Sequence, residues 1–327
     1  MEHRLKHIIE GFQDKRILVW GDLILDEYIY TTTGRISREA PVLVTEFESN
    51  EFRPGGAGNV VLNIKTLGAV PIPVGVIGKN ADGDALKEIL NQNGISSEFL
   101  VALDHYRTPK KSRILSGGDN TKKQQVLRID SLNRNEIEEQ GLQKLEAILM
   151  QLLENIDFLI ISDYLCQSVN SRVFKRIRQH YPSKTVIIDS RNHLPEFEHI
   201  SIATPNEPEI KRIFPGTPFN TSQDFERAGF ELMKQLNARG IILKRGHKGM
   251  IVFEKDQEPV TLEIHGSPNI VDVTGAGDTV ISVIGLSLAS GADLVSSARL
   301  ANIAGGIVVM KEGAYPIHKD ELVHELI

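Results

Sequence analysis

The residues best suited to chemistry lie late in the chain, in Asp272-Val273-Thr274-Gly275-Ala276-Gly277-Asp278, just ahead of a long apolar segment. Glycines at alternate positions let the backbone approach an anion closely. The first turn of a helix adds free N–H groups and the positive end of its dipole. Gly275, Ala276 and Gly277 are therefore expected to form an anion hole. Asp278 should lie on the same first turn, where its carboxylate can take a proton from an attacking hydroxyl. A bare G-x-G is a weak signal, but the seven-residue D-x-T-G-A-G-D string is far more specific.

A second glycine turn, Arg53-Pro54-Gly55-Gly56-Ala57-Gly58-Asn59, also opens a helical segment. Gly55 and Gly56 allow a sugar ring to touch main chain, and Asn59 can both donate to and accept from hydroxyls. Alone this reads as a simple turn. Paired with Asp22 and Asp26, which follow the first apolar strand, it reads as a polyol site in which carboxylates accept from vicinal hydroxyls.

Residues so far apart in sequence need a scaffold, and the hydrophobic pattern describes one. Residues 16–20 (RILVW) form a buried strand, 59–67 a helix, 73–77 a strand and 84–91 a helix. Beyond residue 135, helical periodicity through 137–152 alternates with apolar strands at 158–161, 185–188 and 241–244 and a short one ending at Thr204. Two apolar helices, about 276–290 and 293–310, follow. Such alternation predicts a mostly parallel sheet covered on both faces, with ligands at the carboxyl ends of its strands. Two excursions, about residues 28–50 and 108–130, are Thr-rich or alternating and read as antiparallel strands. The second holds a turn signal at Ser116-Gly117-Gly118-Asp119-Asn120. Together they are expected to form one small sheet, a lid that covers the site or pairs with its twin in a homodimer. With no linker and no repeat, residues 1–327 read as one domain.

Composition excludes several classes. Lys plus Arg is 37 against 43 Asp plus Glu, a net charge of −6, which argues against capture of nucleic acid or anionic membrane by a positive field. The longest uncharged apolar run, 279–292, is shorter than the roughly 20 residues of a spanning helix. The charged N-terminus shows no secretory signal. Cys166 is the single cysteine, so no internal disulfide or cysteine zinc cluster can form, and a cytoplasmic location is expected. Cys166 and Trp20 are read as core residues. The first strand ends in GDLILD rather than G-x-G-x-x-G, which weakens a nicotinamide oxidoreductase reading, and GVIGKN at 75–80 is too short for a Walker A loop. A catalytically silent sugar- or nucleotide-binding regulator is disfavoured by the presence of Asp278, Asn206 and Glu209.

In order and spacing, GGAGN at 55–59, Asn206-Glu207-Pro208-Glu209 and DVTGAGD at 272–278 resemble the motifs of the PfkB, or ribokinase-like, carbohydrate kinases. The resemblance covers essentially the whole chain. It implies an α/β fold of ribokinase-like three-layer α/β/α type, with a mostly parallel central sheet and a small β lid, and transfer of the γ-phosphoryl of ATP to a sugar hydroxyl. It implies that Asp278 is the base, that Gly275, Ala276 and Gly277 form the anion hole, and that Asn206 and Glu209 organise Mg2+ and phosphates, mostly through water. Lys244, Gly246 and Gly249 match the nucleotide loop, and Asn302 matches a position near the adenine. Asp272 and Thr274 stand where relatives hold a monovalent cation, with K+ the candidate.

Within that family, GDLILDEY at 21–28, RISREAPV at 35–42 and ISDY at 161–164 resemble the branch that phosphorylates the anomeric hydroxyl of D-glycero-β-D-manno-heptose 7-phosphate, feeding lipopolysaccharide precursors. Asp189-Ser190-Arg191-Asn192 stands where D-P-K-G is expected, and Lys244-Arg245-Gly246-His247 where T-R-x-E is usual; these departures bear on the acceptor more than on the chemistry. Bifunctional relatives carry a nucleotidyltransferase marked by H-x-G-H, which the 327 residues lack. A phosphorylated acceptor requires a cationic pocket. Arg35, Arg38, Lys110, Lys111, Arg113 and Arg128 are the candidates, most of them expected on a solvated strand face. Arg113 is taken as the substrate contact.

Overall fold

A computed structural model of the chain describes residues 2–118, 121–266 and 270–326. The turn expected at Asp119-Asn120 lies outside the described residues. In chain order, helix α1 (Glu2–Glu10) leads to strands β1 (Arg16–Gly21), β2 (Leu23–Ile36) and β3 (Leu43–Gly56), then α2 (Ala57–Thr66), β4 (Val70–Gly78), α3 (Ala81–Gln92) and β5 (Leu100–Leu103). Strands β6 (Lys110–Gly117) and β7 (Gln124–Ser131) precede α4 (Glu139–Leu153), β8 (Phe158–Asp163), α5 (Ser171–His180), β9 (Thr185–Ser190) and β10 (Ile202–Ala203). The remainder comprises α6 (Glu207–Ile213), α7 (Ser222–Gln235), β11 (Gly240–Lys244), β12 (Met250–Glu254), β13 (Val260–Leu262), α8 (Ala276–Ala289), α9 (Leu294–Val308) and α10 (Lys319–His324).

Among the described residues, nine strands form the main sheet in the order β13-β12-β11-β10-β9-β8-β1-β4-β5. Strands β5 through β11 in that row pair in parallel, while β12 and β13 add an antiparallel edge. The central strands are continuous apolar runs because both faces are covered. One face packs against α1, α2, α3, α8, α9 and α10, the other against α4, α5, α6 and α7. These are the three layers that the alternation of elements demands. Helix α8 is buried from Asp278 to Leu288, which explains why its sequence is apolar all round rather than on one stripe. Trp20 and Cys166 are core residues, as expected, and the Trp20 indole donates to the Ser168 carbonyl at 2.9 Å.

The second sheet has the order β3-β2-β6-β7. The two excursions do form one sheet, but their junction departs from the antiparallel expectation: β2 and β6 pair in parallel, from Leu25 with Lys110 to Thr32 with Gly117. Each strand leaves the body at the same side and in the same direction, since a full α/β layer lies between them in sequence. This sheet exposes Ile36, Leu43 and Phe47 toward its tip and Leu127 and Ile129 nearer its root, each more than half accessible. No described helix is long and apolar enough to cross a membrane.

Candidate active site

The D-x-T-G-A-G-D segment turns into α8 through Gly275, which caps the helix in the left-handed conformation at φ 78°. A Cβ there would lie 2.6 Å from the Asn59 amide nitrogen, so both the backbone angle and the close approach require glycine. Asp272 clasps the segment at its base: Oδ1 accepts from the Thr274 N–H (2.9 Å) and hydroxyl (2.7 Å), and Oδ2 accepts from the Gly313 N–H (3.0 Å). Burial pushes the Asp272 carboxyl up, but these hydrogen bonds outweigh it and hold it below its ordinary range.

Asp278 sits on the first turn of α8 with only 4% of its surface exposed. Tyr164 donates its hydroxyl to Oδ1 at 2.6 Å and Asn59 donates its amide to Oδ2 at 2.9 Å. Burial pushes the carboxyl up to about 6; the Tyr164 and Asn59 bonds and the Lys111 charge pull it down, and Asp189 pushes it further up. An acid of that strength is ionised at neutral pH yet basic enough to take a proton.

A cavity of about 330 Å³ opens in front of this carboxylate. Gly275, Gly277 and Asp278 form one wall, and Asp26, Gly56, Lys111, Arg113 and Arg128 come from the second sheet and its root. Asp163, Tyr164, Asp189, Arg191, Asn206, Glu209 and Lys244 complete it from the carboxyl ends of β8, β9, β10 and β11. A more apolar cavity of about 320 Å³ shares Asn206, Lys244, Val273 and Gly277 with the first and continues past Gly246, Gly249, Met250, Ile264 and Val280 to Asn302. The glycine turn of α8 thus divides a charged chamber from an apolar one.

Of the residues expected to touch an acceptor, Asp26, Gly56 and Arg113 line the charged chamber. Arg113 donates to Asp26 Oδ1 at 2.8 Å, and a Cβ on Gly55 would lie 2.4 Å from Asp26 Oδ2, so Gly55 makes room for that carboxylate. Asp22 and Asn59 are placed otherwise. Asp22 is fully buried and accepts from the backbone N–H groups of Tyr164 (2.8 Å), Cys166 (2.9 Å) and Ser168 (2.9 Å), which leaves it bracing a loop. Burial, with Asp163 nearby, pushes its carboxyl up to about 6 despite those bonds. Asn59 is 1% exposed, and its carbonyl oxygen accepts from Asn63 at 3.2 Å, which turns its NH2 toward Asp278 rather than toward a sugar.

Among the six basic candidates, Lys111, Arg113 and Arg128 line the chamber. Lys110 pairs with Asp82 at 2.9 Å, and Arg35 and Arg38 are exposed on the second sheet and the loop beyond β2. Asn206 caps α6 and forms a reciprocal capping box with Glu209 (2.8 and 2.9 Å). Lys244 donates to both oxygens of Asp189 at 2.9 Å, and a Cβ on Gly277 would lie 3.7 Å from its ammonium. Burial pushes the Glu209 carboxyl up against the pull of Lys244. Asn302 donates to the Glu263 carbonyl at 2.6 Å. Among the described residues no cluster of three or more His, Cys, Asp or Glu could cage a metal. The chamber wall offers the carboxylates of Glu209 and Asp189 beside Asn206, a sparse donor set of the kind that a hydrated divalent cation completes with phosphates and water.

Sequence reasoning gave no role to Tyr164, Asp163, Asp189 or Arg191. Their signal is positional: Asp163 and Tyr164 stand at and just past the end of β8, and Asp189 and Arg191 at and just past the end of β9. Polar residues at the carboxyl ends of central parallel strands face the ligand crevice.

The sequence profile of the pfkB family carbohydrate kinases matches residues 14–320. Curated relatives include the bifunctional protein HldE of Desulfatibacillum aliphaticivorans, 35% identical over 321 residues that cover 96% of this chain and 64% of the relative. The bifunctional protein HldE of Chromohalobacter salexigens is 36% identical over 313 residues, covering 95% and 63%. The chain thus spans less than two thirds of the length of these relatives. Similar solved structures include Arabidopsis thaliana ribokinase complexed with ribose and ATP, at a TM-score of 0.71 and 19% identity over 96% of this chain and 99% of that one. Escherichia coli phosphofructokinase-2 in complex with fructose-6-phosphate gives 0.73 and 19% over 96% and 98%. The ribokinase-like α/β fold expected from the sequence is the fold observed.

Proposed function

This chain belongs to the pfkB family of carbohydrate kinases, and we propose that it is an ATP-dependent sugar kinase whose acceptor is the anomeric hydroxyl of D-glycero-β-D-manno-heptose 7-phosphate, which it converts to the 1,7-bisphosphate. The observation that carries the acceptor reading is that Lys111, Arg113 and Arg128 enter the same 330 Å³ chamber as Asp278. Arg113 is paired with Asp26 and Arg128 with Asp130, and Lys111 lies beside them on β6; a phosphate on the acceptor can take Lys111 and share the two arginines, a supply of charge that a neutral sugar does not require.

Asp278 takes the proton of the attacking hydroxyl, and the amides of Gly275 and Gly277 receive the charge that develops on the transferred group, whereas the Ala276 N–H, expected to share that role, already donates to the Val273 carbonyl at 3.3 Å. Asp26, held by Arg113, accepts from sugar hydroxyls beside Gly56. Lys244 lies where charged and apolar chambers meet and reaches the phosphates, while Gly246, Gly249 and Asn302 line the chamber that suits an adenine. Mg2+, when it enters with the nucleotide, neutralises phosphate charge, and Glu209 and Asn206 are the residues to hold its water shell. Asp272 and Thr274 are the candidates for K+. The second sheet excludes water from the acceptor.

The exposed apolar residues of that sheet, Ile36, Leu43, Phe47, Leu127 and Ile129, support a homodimer in which two such sheets cover each other. A cytoplasmic site of action fits the need for ATP and the lone Cys166.

A second reading, another sugar phosphate as acceptor, draws on Arg191, which lines the chamber where the heptose kinase branch has lysine. A phosphorylation screen with ATP and Mg2+ over free and phosphorylated sugars separates the two. Turnover of heptose 7-phosphate at least tenfold above every other acceptor is expected. Strong turnover of unphosphorylated hexoses with none of heptose 7-phosphate contradicts the acceptor while leaving the kinase intact.

A further inference from the structure

We propose that Tyr164 is a positioning residue for phosphoryl transfer, holding the Asp278 carboxylate in the orientation that the acceptor hydroxyl requires. The inference rests on reading Asp278 as the base. Tyr164 and Asn59 approach that carboxylate from two different elements and take one oxygen each, at 2.6 and 2.9 Å. One donor per oxygen fixes the plane of the group and leaves each oxygen a further lone pair for the acceptor.

The phenol is itself constrained from three directions. The Lys111 ammonium and the Arg191 guanidinium lie 5.0 and 4.4 Å from the centre of its ring. Its backbone N–H is the first of the three that Asp22 collects, so the buried carboxylate that does not reach the chamber acts on it through the loop. That loop needs such a brace, because Leu165 and Gln167 adopt positive φ (65° and 77°), which disfavours L-residues. A tyrosine that merely filled space would need neither a bond to the base nor a braced backbone.

The groups facing Asp278 come from several elements: Asn59 on α2, Lys111 on β6, Tyr164 after β8 and Asp189 on β9, with Lys244 beside Gly277. Burial and Asp189 push its carboxyl up, and Tyr164, Asn59 and Lys111 pull it down. Loss of the phenol hydroxyl therefore moves the acid limb of activity to higher pH.

The test is the pH profile of kcat/KM for Tyr164→Phe, measured with ATP, Mg2+ and the best acceptor of the sugar screen. Phenylalanine keeps the ring under both cations and removes only the donor. The expected result is a kcat lower by about tenfold to a hundredfold, an unchanged KM for ATP, and an acid limb raised by about one pH unit. Should the variant fail to fold, protein carrying 3-fluorotyrosine at its six tyrosines answers the same question, since the more acidic phenol lowers the acid limb. A wild-type kcat with an unmoved limb in Tyr164→Phe, or an unmoved limb in the fluorinated protein, overturns the inference and leaves the base reading intact. An active Asp278→Asn enzyme removes the base reading, and this inference falls with it.

Discussion

The Asn59 amide donates to Oδ2 of Asp278 at 2.9 Å, although 219 positions separate the two in the chain. The glycine turns at 55–58 and 275–277 are thereby joined at one carboxylate, and the NH2 of the asparagine turns to Asp278 rather than into the chamber. Asn59→Ala is expected to lower kcat by about tenfold to a hundredfold, the worth of one hydrogen bond to a charged group, and to leave the sugar KM within about twofold. Steady-state kinetics in the two substrates decide it; a raised sugar KM with kcat preserved returns Asn59 to the acceptor.

Lys244 is held symmetrically by Asp189 beside Gly277. Lys244→Met removes a cation from the phosphates and strands a partly buried carboxylate beside them. A rise in the ATP KM together with a fall in kcat of at least about a hundredfold is expected. Unchanged ATP binding by calorimetry contradicts this placement.

Gly275→Ala forces an L-residue to φ 78° and sets a Cβ 2.6 Å from the Asn59 amide and 3.2 Å from the Ala314 Cβ. Backbone strain of about 1–2 kcal/mol adds to the displacement of Asn59. The variant should melt a few degrees lower and lose most of its kcat. Thermal unfolding alongside kinetics separates the two effects, and a variant that is destabilised yet fully active shows that the turn does not position the base.

Asp278 also has a stability signature. Its carboxyl is raised from 3.8 to about 6 in the folded chain, so folding favours the protonated acid. That stability is present in full below about pH 4 and is lost as pH rises through about 6, a loss of up to about 3 kcal/mol. Asp278→Asn cannot ionise and escapes it. The variant is expected to melt a few degrees above wild type at pH 7.5 and level with it at pH 4. Equal melting temperatures at both pH values would mean that the carboxylate is not held in a desolvated place.

What the sequence made legible was the chemistry-bearing string and the alternation that builds the main sheet. Residues 272–278 announce their own structure because a helix start, a left-handed glycine and an acid on the first turn are all local. The partners of Asp22 and Asn59 were not legible, since each depends on which loop or helix packs against it across the core. Asp22 looked like a sugar ligand for standing at a strand end, yet the Tyr164 to Ser168 loop folds over it and takes both oxygens. The parallel pairing of β2 with β6 was hidden because alternation reports a half-exposed strand and not the direction of its neighbour. Arg191 was visible only as a departure from a familiar string, and its place over the Tyr164 ring depends on two strand ends meeting.

The central claim, that the Asp278 carboxylate accepts the acceptor's proton beside the amides of α8, is tested most directly by Asp278→Asn under saturating ATP, Mg2+ and the best acceptor of the screen. Asparagine keeps the shape and the contact with Asn59 but has no basic site. The expected result is a kcat at least about a hundredfold lower with ATP affinity within about twofold of wild type. A variant that phosphorylates the sugar at close to the wild-type rate contradicts the assignment.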